Sequence, residues 1–173
     1  MKFRDIKPFS TASWSCDVPI AYLKPHFARW LKEYNLNLDP DFQRGHVWSD
    51  IQRTKYVEYL LRGGISSKII YFNCPGWMTD WSGEFVIVDG KQRLEACLRF
   101  LDNKLKVFGC YLNEYEDSIG LMNMEGLKIA VNNLKTKADV LQWYLDLNSG
   151  GVIHTNNELE RVKKLLEIEQ KKT

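Results

Sequence analysis

A run of ten residues, Phe85-Val86-Ile87-Val88-Asp89-Gly90-Lys91-Gln92-Arg93-Leu94, constrains this chain more than any other stretch. It opens with an unbroken aromatic and β-branched segment, the pattern of a strand buried on both faces. Asp-Gly then breaks the segment. Within two residues a helical pattern begins, with Leu94, Cys97, Leu98 and Leu101 at i, i+3, i+4 and i+7. A buried strand therefore turns sharply into a helix. The turn carries a carboxylate, a glycine, a lysine, an amide and an arginine. The first turn of a helix offers unpaired N–H groups and the positive end of the dipole, which suits an anion. Gly90 lets a ligand approach the backbone, and Arg93 can grip a phosphate through two parallel hydrogen bonds. Cations gain nothing from the dipole at that end, so Lys91 and Arg93 there predict an anion between them.

The remaining chain sets few limits on partners. Its 173 residues suffice for one domain with a sizeable core. With 45% hydrophobic and 27% charged residues, a disordered chain is excluded. A net charge of +2 means that any basic surface must be a local patch. Cys16, Cys74, Cys97 and Cys110 form no C-x-x-C pair and follow no secretory signal, so a reduced cytoplasmic setting is expected. Cys97 falls on the apolar helix face and reads as a core residue. No run approaches the roughly 20 apolar residues of a membrane span.

Taken in order, residues 1–16 carry no pattern. Asp17 reads as the N-cap of a helix reaching Tyr34, with Pro25 as a kink or late start. Leu36-Asn37-Leu38 alternates like a short strand. Ser49 and Gln52 form a capping box for a helix running to Arg62 and stopping at Gly63-Gly64. Ile69–Phe72 reads as a second buried strand. The tryptophan-rich stretch from Asn73 to Gly83 is a loop, lid or insertion. Leu105–Leu112 reads as extended, and Leu127–Val131 as a short strand. Thr136 opens a helix ending near Asn148, and Thr155-Asn156-Asn157-Glu158 caps a last helix over about 156–171. Strands and helices alternate without an even βαβ rhythm. The prediction is one α+β domain, a small mixed β-sheet surrounded by helices.

Three segments together resemble a known pattern. Asp39-Pro40-Asp41-Phe42-Gln43-Arg44 with Trp48 resembles a "P-x-[YF]-Q-R…W" motif. Val86 to Leu94 resembles "D-G-x-Q-R-L". Tyr144 to Gly151, with Glu158 and Leu159 beyond, resembles "N-x-G-G…E-L". In this order they are similar to the N-terminal domain of GmrSD-type, type IV restriction endonucleases, within the ParB/sulfiredoxin-like superfamily of nucleotide-binding and nuclease domains. The resemblance spans about 20–162. It implies nucleotide binding and hydrolysis, coupled to DNA cleavage and to defence against foreign DNA; Mg²⁺ is the metal expected for that chemistry, and DNA or a separate nuclease or defence protein an expected partner. Carried over by position, it implies a catalytic group of Asp89, Gln92 and Arg93, with Asp89 as the Mg²⁺ ligand. It places phosphate or nucleotide contacts at Gly90, Gln43, Arg44, Asn148, Gly150 and Gly151, to which the helix start itself adds Lys91. Relatives of this type continue into a second nuclease domain of the HNH type. His26, His46 and His154 have no such spacing, so the expectation is that any chemistry resides at the turn.

Each residue also has a plainer role open to it. Asp89 could hold a metal or orient water, or simply cap the helix after it. Gln43 and Arg44 could contact phosphate, or fix their loop by an ion pair. Trp48 could stack on a base, or anchor the core as buried tryptophans do. His46 has no readable partner. Asn148-Ser149-Gly150-Gly151 could approach a nucleotide, or end a helix. The basic residues near the C-terminus alternate with glutamates, the pattern of a solvated helix face. A non-catalytic nucleotide- or DNA-binding adaptor or decoy is the alternative to an enzyme.

Overall fold

The computed structural model describes residues 10–43, 48–117, 125–148 and 156–171, with side chains from 159 onward in the last segment. Four strands and five helices follow in the order β1 (Trp14–Pro19), α1 (Leu23–Glu33), α2 (Asp50–Leu61), β2 (Ile69–Asn73), β3 (Val86–Asp89), α3 (Lys91–Leu101), β4 (Gly126–Asn132), α4 (Lys137–Asn148) and α5 (Asn156–Gln170). One sheet runs β1-β4-β2-β3. Its outer pairs are antiparallel and its central pair, β4 with β2, is parallel. The domain is thus α+β with a small mixed sheet, as the sequence predicts. No helix among the described residues is long and apolar enough to cross a membrane.

Alternation along β3 explains the layering. Phe85 and Ile87 enter the main core with Leu23, Phe27, Val57, Leu60, Leu94 and Phe100 from α1, α2 and α3. Val86 and Val88 enter a second cluster with Val140, Leu141, Trp143, Tyr144, Val162 and Leu166 from α4 and α5. β3 is therefore covered on both faces, which is why its sequence has no polar alternation. Buried Asn73 exchanges two hydrogen bonds with the backbone of Leu134 (3.1 and 2.9 Å). These fix the exit of β4 towards α4.

Several local expectations are corrected. Asp17 caps no helix; it lies in β1, opposite Lys128 of β4. The pattern Trp14 to Val18 is that of an edge strand with Ser15 and Asp17 exposed. Pro19, the last residue of that edge strand, needs no ladder partner. The helix begins only at Leu23, with Pro25 in its first turn, where the missing N–H costs little. Leu36–Leu38 is no strand but a single bridge, Asn37 to Val86. Leu105–Leu112 is not extended: Val107 and Cys110 bridge across a tight turn at Phe108 and Gly109. The tryptophan-rich loop is tied into the core, with Trp77 buried and Trp81 stacked on Tyr34 at 3.7 Å. The Ser49–Gln52 capping box is present as predicted.

Candidate functional site

The β3–α3 turn is built by one irregularity. β2 and β3 pair Asn73 with Val86 and Phe72 with Ile87, then Tyr71 with Asp89, so β3 carries one extra residue at Val88. Strict alternation would aim Asp89 at the main core, beside Ile87. The bulge instead sets Asp89 opposite Tyr71, on the side facing α4, a re-aiming that bulges commonly perform. Tyr71 packs edge-on against Trp143 of α4 at 5.6 Å. Burial raises the Tyr71 phenol above its ordinary pKa, and the Asp89 carboxylate raises it further.

Gly90 follows at φ +97°, as the residue before α3. A Cβ there would lie 2.6 Å from Ile70 Cδ1 and 3.2 Å from its Cα. Glycine is thus required by the backbone conformation and by the neighbouring strand together. Asp89 does not cap α3, as the plainer reading had it. Its carboxylate pairs with Arg93, one turn on. Arg93 Nη1 also donates to the Ser67 carbonyl (3.3 Å), which accepts from the Tyr56 hydroxyl too (2.9 Å). Lys91 pairs with Asp39 at 2.7 Å. The anions that the two basic residues call for are, in this state, the protein's own carboxylates.

The first and second motifs are locked together. The Gln43 amide donates to the carbonyls of Ile87 and Val88, at the bulge. Gln92 Oε1 accepts the backbone N–H of Trp48 (3.0 Å). Gln43 is therefore tied to the turn through its own side chain, and Trp48 through that of Gln92. Trp48 itself lies half-buried, edge-on to Tyr56 at 5.4 Å and packed on the main core, which is the anchoring role. Arg44 and His46 lie outside the described residues.

The third motif meets the turn less directly. Asn148 is buried, and its amide donates to Tyr144 O (2.7 Å), within its own helix. Ser149, Gly150 and Gly151 lie outside the described residues, as do His154, Thr155 and the Glu158 side chain. Tyr144 of the same motif touches Phe42 at 5.5 Å, so the two segments meet through aromatic packing.

Sequence reading missed Tyr71. Only the bulged register brings it beside Asp89, and a bulge leaves no local mark in the sequence. A groove of about 480 Å³ runs along α2, between Lys55, Glu58, Lys106 and Tyr111. It contains no predicted site residue. Thr54 and Glu58 in it are spent on the backbone of Lys106 and Phe108 (2.8 and 2.9 Å), so it reads as a packing seam.

No group of three His, Cys, Asp or Glu residues gathers into a metal site among the described residues. Asp89 is a single carboxylate at the turn. That suits Mg²⁺ carried by phosphate oxygens, which asks one or two protein carboxylates rather than a cage.

The chain matches no curated protein. Among solved structures it is similar to the C-terminally truncated chromosome-partitioning protein ParB from Caulobacter crescentus, complexed with CTP-gamma-S. The identity is 18% and the TM-score 0.42, over 92% of this chain and 66% of that one. Residues 27–123 match the family described as GmrSD restriction endonuclease, N-terminal domain. That range holds the Gln43 segment and the whole β3–α3 turn, and it stops short of α4 and α5. The chain belongs to the family of GmrSD restriction endonuclease N-terminal domains.

Proposed function

We propose that this domain binds a nucleoside triphosphate with Mg²⁺ at the β3–α3 turn and hydrolyses it, in the service of restriction of DNA. The observation that carries the reading is the convergence of two motifs on one turn. Gln43 is bonded to the bulge carbonyls, Gln92 to Trp48 and Lys91 to Asp39, in a chain of a restriction-endonuclease family.

The residues act by exchange of partners. A triphosphate entering the turn competes with Asp89 for Arg93 and with Asp39 for Lys91. Arg93 then turns its donors to phosphate oxygens, where charge develops during phosphoryl transfer. Released from Arg93, the Asp89 carboxylate is free to hold Mg²⁺ together with the phosphates or to orient a water. Bound there, Mg²⁺ would neutralise phosphate charge. Gln43 and Gln92 keep the loop and the turn in register. A second reading, a binding module without turnover, is favoured by the closed Asp89–Arg93 pair. Such a module would serve as an adaptor to DNA or to a separate nuclease.

Incubation with labelled nucleoside triphosphates and with supercoiled DNA, with and without Mg²⁺, tests both. Turnover in the wild type that collapses in Asp89→Ala and Arg93→Ala supports the enzyme. Binding without turnover selects the module. Turnover unchanged in both variants sinks the site.

A further inference from the structure

Residues 39–43 are gripped from two sides. The turn holds Asp39 through Lys91 (2.7 Å) and Gln43 through its bonds to Ile87 and Val88. The C-terminal helices hold two of the three residues between, Asp41 and Phe42. Lys137 of α4 pairs with Asp41 at 2.7 Å. Arg161 of α5 donates to the carbonyl of Phe42 (3.0 Å). The Phe42 ring is buried in the cluster formed by α4 and α5. Asp41 acts on Lys137 as a hydrogen-bond acceptor and raises its pKa. Successive residues in so short a segment cannot move independently. A shift of Phe42 is carried into Gln43, and from there into the carbonyls beside Asp89. α4 and α5 lie beyond residues 27–123, so this grip is a feature of the chain outside its family match.

We propose that the α4–α5 pair is a clamp that sets the Gln43 segment on the turn, with Lys137 and Arg161 as positioning residues. The clamp thereby tunes the affinity of the turn for a nucleoside triphosphate, a role that rests on the phosphate-site reading above.

Three variants test it: Lys137→Glu, Arg161→Ala and the double exchange Asp41→Lys with Lys137→Glu. The probes are a fluorescent nucleoside triphosphate with Mg²⁺ and hydrogen exchange at the Trp48 and Ile87 amides. Those amides are bonded to Gln92 and Asn37 respectively. Each single variant is expected to bind the triphosphate roughly fivefold more weakly, the scale of one partly exposed ion pair for Lys137 and of one hydrogen bond to a carbonyl for Arg161. Exchange at Trp48 and Ile87 rises while amides inside α2 keep their protection, which a global loss of stability would not allow. The double exchange restores both readouts. Wild-type affinity and exchange in the single variants, or no rescue in the double, overturns the clamp. Absence of any triphosphate binding by the wild type sinks the phosphate-site reading instead. In that case faster exchange at the two amides in Lys137→Glu and Arg161→Ala supports the mechanical clamp, and unchanged exchange overturns it.

Discussion

Gly90 and Asp89 are neighbours with opposite constraints. Asp89 has partners to trade, whereas Gly90 has no room to change. A methyl at position 90 meets Ile70 and must hold φ +97°, so Gly90→Ala should destabilise by about 2–4 kcal/mol. Ile70→Val removes the closest atom. Denaturant unfolding should then find the double variant more stable than the sum of the two singles by about 1 kcal/mol. Cys97 gives a second test at this scale. It is fully buried, and desolvation pushes its thiol up to about 12. Reactivity follows the thiolate. At pH 8 a maleimide should therefore label Cys16 and Cys110, which are partly exposed, and reach Cys97 and Cys74 only after denaturation. Mass spectrometry of the labelled native protein checks this.

α1 shows how a helix buries a titratable group. His26 sits among Phe27 and Trp30, its ring 5.2 and 4.5 Å from theirs, and its Nε2 has no hydrogen-bond partner. Burial lowers its pKa below the ordinary 6.5. The folded state thus favours neutral imidazole, and the unfolded chain binds the proton first as pH falls. Stability is whole above pH 6.5 and declines as pH drops through the lowered folded value. Thermal melts across this range should show a decline that His26→Phe, which keeps the ring and removes the proton, makes shallower. Elements of this kind were legible where their cause was local. The run Val86–Val88, the Leu94–Leu101 periodicity and the Ser49–Gln52 box depend on near neighbours alone. β1 was not legible, because Asp17 before an apolar run looks the same at a helix cap as on an exposed strand face. Only pairing with β4 decides between them. The roles of Gln43 and Gln92 were hidden for the same reason: each binds a residue 44 or 45 positions away. The D-G-K-Q-R turn itself was plain from residue types; the bulge that aims Asp89 was not.

In the whole molecule, β3 is where the two cores meet, and it is also an outer strand of the sheet. An outer strand presents unpaired N–H and C=O groups. Here the chain from Asn37 to Gln43 runs along that side. Asn37 supplies two backbone hydrogen bonds (2.8 and 3.0 Å) and Gln43 its side-chain amide. The segment that tethers the proposed site therefore also covers the β3 edge. Gln43→Ala combined with Lys91→Ala should loosen this cover and expose the β3 edge as a template for another chain. Sedimentation velocity would then register concentration-dependent dimers or larger species, while the wild type sediments without them under the same conditions. Any ligand or partner that lifts the segment to reach Asp89 would bare the same edge, and opening the site and covering β3 would become competing demands on these seven residues.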